Sequence, residues 1–124
     1  MEIIATNKAP AAIGPYSQAV KVGNLLFTSG QIAINPETAQ VVEGGIAEQT
    51  EQIMKNLGAV LAEAGLSYTD AVKTTCFLAE IADFATFNEI YGKYFTGKPA
   101  RSCVAVKDLP KGVLAEVEVI AEFK

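Results

Sequence analysis

The stretch VLAEVEVIAEF, residues 113–123, decides the fold. Side chains along a strand alternate between faces with a period of two. Val113, Ala115, Val117, Val119, Ala121 and Phe123 therefore share one face, which is apolar throughout. Leu114, Glu116, Glu118, Ile120 and Glu122 share the other. The pattern predicts a strand over 113–123 with a core on one side and paired carboxylates on the other.

Working back along the chain, Leu109-Pro110-Lys111-Gly112 predicts a turn. Residues 101–107 predict a strand with Arg101, Cys103 and Ala105 on one face and Ser102, Val104 and Val106 on the other. Gly97 and Pro99 end a helix that starts at an Asp83 N-cap and runs to about Phe95. Its apolar stripe is Phe84, Phe87, Tyr91 and Phe95. Residues 71–79, AVKTTCFLA, are β-branched and aromatic and predict a strand. Residues 46–64 predict a helix from Ile46, Thr50, Ile53, Leu57, Val60, Leu61 and Ala64 at 3.6-residue spacing, closed by Gly65-Leu66. Ala19–Val22 and Leu25–Ser29 flank Gly23-Asn24 and predict a hairpin. Residues 8–18 predict an ordered surface loop. The sum is an α+β pattern in which two helices cover one face of a sheet. It does not order the strands.

Composition narrows the chemistry. A chain of 124 residues is one domain, 1–124, and builds a core without metals or disulfides. Half its residues are apolar and mean hydropathy is +0.25. That is more than a small monomer hides, which predicts surface buried against another copy. The net charge of −4 and pI near 4.8 disfavour nucleic acid and anionic membranes as partners. No apolar run approaches membrane-spanning length, and residues 1–15 carry no basic, apolar leader pattern. Cys76 and Cys103 read as reduced thiols of a cytoplasmic protein. The sequence holds no histidine, which removes histidine triads, dyads and HExxH zinc sites together. Two distant cysteines are too few for a structural metal site.

Nine lysines accompany a single arginine, Arg101. Its planar fork grips a carboxylate by two parallel hydrogen bonds, which lysine cannot copy. Pro99 stiffens the approach to it. Glu116 and Glu118, two apart on one face, raise each other's pKa, and either is a candidate general base; a solvated strand face is the competing reading. Asn88, inside the aromatic stripe, must find partners if buried. Tyr16-Ser17 follows Gly14-Pro15, and Ser29-Gly30-Gln31 closes a strand where glycine admits a ligand or another backbone. Cys103 shares the face of Arg101 and is expected to pack rather than react. Cys76 reads as a small core residue.

These segments together resemble the reactive-intermediate-deaminase (Rid) family. The carriers are APAAIGPYSQ (9–18), TSGQ (28–31), VKTTCF (72–77), FATFNEIY (84–91), PARSCV (99–104) and Leu109-Pro110-Lys111 with Glu116-Val117-Glu118. The resemblance implies a chorismate-mutase-like domain with a mixed sheet and two helices on one face. It implies a homotrimer with ligand sites between subunits. It implies cofactor-free hydrolysis of 2-imino acids, such as 2-iminobutanoate and 2-iminopropanoate, to 2-keto acids and ammonia. These imines are by-products of pyridoxal-phosphate-dependent dehydratases. By matching position, Arg101 would bind the carboxylate and Glu116 would place the attacking water. Tyr16, Ser29, Gly30, Asn88 and Cys103 would line the pocket, Cys103 through its backbone. Two other functions stand beside this one: a non-catalytic regulator that senses 2-keto acids or other carboxylates, and an RNA-cleaving translation inhibitor, which the acidic, histidine-free composition disfavours.

Overall fold

The computed structural model describes residues 1–124. In chain order the elements are β1 (Glu2–Ile4), β2 (Ala19–Val22), β3 (Leu25–Thr28), β4 (Ile34–Asn35), β5 (Gln40–Val41), α1 (Ile46–Glu63), β6 (Ala71–Leu78), α2 (Phe84–Tyr94), β7 (Ala100–Ala105) and β8 (Ala115–Glu122). Six strands form one sheet in the order β1-β2-β3-β8-β6-β7, and β4 and β5 pair separately. All neighbours in the large sheet are antiparallel except β6 and β7, which are parallel. A parallel pair needs a crossover, and α2 supplies it.

The period of two in 113–123 holds through β8, where Ala115, Val117, Val119 and Ala121 are buried and Glu116, Glu118 and Ile120 are half-buried. β8 pairs with β3 on one side and β6 on the other, so its apolar face sits at mid-sheet beneath the helices. Against it α1 buries Ile53, Met54, Leu57, Val60 and Leu61, and α2 buries Phe87 and Tyr91. Glu48 accepts a hydrogen bond from the Gly45 N–H at 2.8 Å at the start of α1. At its end Gly65 adopts φ +79°, Leu66 N–H donates to the Leu61 carbonyl at 2.8 Å and Gly65 N–H to that of Ala62 at 2.9 Å. This is the glycine cap expected from the sequence.

Some expectations are corrected. Asp83 does not cap α2: its backbone is already helical, its side chain makes no cap hydrogen bond, and a 3-10 turn over Ile81–Asp83 runs straight into the helix. Phe84 leaves the core stripe and is exposed. β7 stops at Ala105 rather than 107. It is an edge strand, and its one neighbour β6 ends at Leu78, the register partner of Ala105. β8 is shorter than 113–123 because Leu114 turns its N–H to the Gln49 side chain at 2.8 Å.

The outer face of the sheet, away from the helices, is not simply solvated polar surface. A row of register partners, Ile3, Val20, Phe27 and Ile120, runs across four strands on that face. Ile3 is 61% exposed, Phe27 38%, and Val104 on β7 46%. A contiguous apolar row of this kind offers a surface that another chain can cover. No helix is long and apolar enough to cross a membrane.

Candidate functional site

Arg101 lies on β7 opposite Thr74 of β6, and Thr74 lies opposite the buried Val119 of β8. Register partners share a face, so Arg101 points to the helix side. Its Nη1 donates to Asn88 Oδ1 of α2 at 2.6 Å. Its guanidinium carbon sits 4.8 Å from the Tyr91 ring centroid and 5.6 Å from that of Phe84. The Tyr91 ring is pinned by a 2.7 Å hydrogen bond between its hydroxyl and that of Thr74. Ring faces attract the cation without neutralising it. The one ion pair in the structure is Lys124 with Asp70, so Arg101 has no carboxylate partner. It borders a cleft of about 500 Å³ with Asn88, Tyr91, Lys98 and Pro99, and no acid lines it. An oriented, unneutralised fork in an acid-free cleft can receive an anion.

Cys103, two residues along on the same face, is half-buried. Burial raises its pKa more than the nearby Arg101 lowers it, so the thiol is protonated at neutral pH.

Glu116 belongs to a second cleft, of about 460 Å³, shared with Tyr16, Gly30, Ile32 and Lys111. Gln31 and Val117 exchange backbone hydrogen bonds at 2.8 and 3.1 Å, which sets Gly30 against Glu116. A Cβ at Gly30 would collide with Glu116 Oε2 and lie 2.8 Å from its carboxyl carbon. The close approach that glycine permits here is to the carboxylate of the same chain. Gly30→Ala is therefore expected to keep the fold, because a glutamate side chain can swing away, while moving the carboxylate out of place. The check is a pair of measurements, unchanged thermal melting with loss of whatever reaction or ligand binding depends on Glu116.

The loop that carries Tyr16 is stapled by Gln18. Its Nε2 donates to the carbonyls of Thr6 (3.0 Å) and Pro10 (2.7 Å), and its Oε1 accepts from the Thr6 N–H at 2.6 Å. Ser29 donates its hydroxyl to the Ser17 carbonyl at 2.6 Å, so it holds this loop rather than offering a free hydroxyl. Sequence reading gave neither Gln18, nor Lys111 with its left-handed φ of 57°, a place here.

Burial, then Glu118 beside it, raises the pKa of Glu116. A carboxylate with its pKa raised in the folded state is stabilising only when protonated, and that contribution is lost as pH rises through the folded pKa. Glu116→Gln is thus expected to melt higher than the parent at neutral pH, with the advantage vanishing in acid. Melting curves across pH read this directly.

The two clefts lie on opposite faces. Alternation places Glu116 on the outer side of β8, while Arg101 faces the helices from β7. The structure thus brings Arg101, Asn88 and Cys103 together on one side. Tyr16, Gly30 and Glu116 gather on the other, with Ser29 behind them.

The family model described as endoribonuclease L-PSP matches residues 6–123. The chain belongs to this family. Endoribonuclease L-PSP relatives match nearly end to end. The 2-iminobutanoate/2-iminopropanoate deaminase of Rattus norvegicus is 53% identical, over 97% of this chain and 88% of its own. The putative regulator AldR of Lactococcus lactis is 55% identical, over 100% and 99%. Among solved structures, that of E. coli TdcF with bound serine superposes with a TM-score of 0.95 at 42% identity, covering 100% of each chain. This is the family that the PARSCV, IGPYSQ and SGQ segments resemble.

Proposed function

We propose that the chain is a hydrolytic deaminase of small 2-imino acids, working as a homotrimer whose sites join Arg101 of one subunit to Glu116 of the next. The observation that carries the reading is the unpaired, oriented guanidinium of Arg101 in a cleft free of acids. The relative named as a 2-iminobutanoate/2-iminopropanoate deaminase supplies the substrate class. The apolar row on the same sheet face as Glu116 supplies a surface for a second copy to cover.

The chemistry asks little of the protein. The 2-carboxylate of R–C(=NH)–COO⁻ lies in the fork of Arg101, which fixes the C=N carbon in space. Glu116, whose pKa is raised by burial and by Glu118, accepts a proton from a water as the water adds to that carbon. That proton passes to the imine nitrogen to give the carbinolamine R–C(OH)(NH2)–COO⁻; its hydroxyl proton then moves to the nitrogen through Glu116, the C–N bond breaks, and the 2-keto acid and ammonia leave. Tyr16 and the backbone of Gly30 bound the cleft beside the carboxylate, and Cys103 contributes through its main chain. Free cysteines support a reducing, cytoplasmic setting.

The relative named as a putative regulator favours one alternative, a carboxylate sensor built on the same guanidinium. One assay separates the two. A serine/threonine dehydratase generates the imine while semicarbazide competes for it. A deaminase suppresses semicarbazone formation in proportion to its concentration. A sensor leaves trapping unchanged yet melts higher with 2-ketobutyrate.

A further inference from the structure

Cys76 and Cys103 are far apart in sequence yet are register partners on the parallel strands β6 and β7. Adjacent strands lie about 4.8 Å apart. That falls inside the roughly 4.4–6.8 Å between Cα atoms that a disulfide spans. Register partners face the same way, so both thiols point to the helix side, where Arg101 also lies. Both are free. They differ in access: Cys76 is 0% exposed, whereas Cys103 is half-buried on the edge strand. One accessible thiol with a buried thiol beside it is the arrangement of a reacting and a resolving cysteine.

We propose that Cys103 and Cys76 form a dithiol site for hydroperoxides, closing to an intramolecular disulfide next to Arg101. The Cys103 thiolate attacks the outer oxygen of ROOH. The O–O bond breaks, ROH leaves with a proton, and Cys103 becomes a sulfenic acid. The Cys76 sulfur then displaces that hydroxyl, the S–S bond forms and water leaves. Overall two thiols and ROOH give one disulfide, ROH and water. The sulfurs lose two electrons, and these reduce the peroxide bond. Arg101, two register pairs from the two thiols and on the same face, favours the attacking thiolate. Burial opposes it and pushes Cys76 up to about 12, so the reaction is slow at neutral pH and quickens as pH rises. β7 has a neighbour on one side only and can shift to accept the cross-link. Because Arg101 rides on the same strand, the cross-link acts on its cleft. The proposal does not depend on the deaminase reading.

The test is hydrogen peroxide on the intact chain at several pH values, followed by alkylation under denaturing conditions and mass spectrometry. The expected product has lost two hydrogen atoms and both alkylation sites together. Digestion yields one peptide joining Cys76 to Cys103, and dithiothreitol reverses it. Cys76→Ala is expected to stop at a Cys103 sulfenic acid that dimedone traps, and Cys103→Ala to leave Cys76 reduced. Circular dichroism verifies that each variant is folded. Full alkylation of both thiols after peroxide overturns the proposal, as does cross-linking confined to separate chains. So does loss of Cys76 in Cys103→Ala at the parent's rate.

Discussion

Arg101→Ala is expected to lower kcat/KM for 2-imino acids by roughly 10²–10³-fold, the loss typical when one member of a desolvated, hydrogen-bonded charge pair is removed. Its effect on folding should be small. In the absence of ligand Arg101 makes one side-chain hydrogen bond, to Asn88, and stacks on Tyr91 and Phe84. Removing these costs about 1 kcal/mol or less, since they lie at a solvent-accessible edge. Tyr91 keeps its bond to Thr74 and its stacking on Phe87 and Phe95, so the wall of the cleft survives. Arg101→Lys restores the charge but not the planar fork and should recover only part of the loss. The measurement is the semicarbazide competition with parent and both variants, alongside their melting temperatures. Full suppression of trapping by the alanine variant would remove Arg101 from the reaction.

This prediction was open to the sequence because a single arginine among nine lysines is conspicuous. The same holds for β8, whose alternation survives in the fold, and for α1, whose Gly65 cap has the expected bonds. Other features were hidden for physical reasons. Period two tells which residues share a face but not which strand lies beside which. That Arg101 and Glu116 face opposite ways follows only from the long-range registers of Thr74 with Arg101 and with Val119. β1 and the pair β4–β5 are too short to show any period. Asp83 has cap chemistry, but the preceding 3-10 turn already bonds its N–H to the Glu80 carbonyl. Phe84 has the spacing of a core residue and instead lies exposed beside a guanidinium. At Gly30 the residue type announced a close approach, and the fold identifies the visitor as Glu116.

The opposed faces carry the second large effect, a recovery of activity from two inactive proteins. Within one chain, β6 separates β7 from β8, so the strands bearing Arg101 and Glu116 are roughly 10 Å apart before their opposite directions are counted. Reacting atoms must be held within about 3–3.5 Å of one another. A substrate gripped by Arg101 therefore cannot receive a water from the Glu116 of its own chain. In the proposed trimer, a neighbouring copy that covers the apolar row of Ile3, Val20, Phe27 and Ile120 would bring a second Glu116 to the interface. Arg101→Ala and Glu116→Gln should each be nearly inactive alone. Co-expressed in equal amounts, they are expected to assemble mixed trimers. In every mixed trimer, whichever chain is present twice, one of the three shared sites then receives an intact Arg101 from one subunit and an intact Glu116 from the next. Activity near that fraction of the parent is the expected result, read on mixed oligomers purified through two different tags. Recovery cannot arise if both groups act from one chain, since every chain in the mixture lacks one of them. Mixed oligomers that stay inactive would show that Arg101 and Glu116 do not complete one another across the interface, whatever the activity of the parent protein.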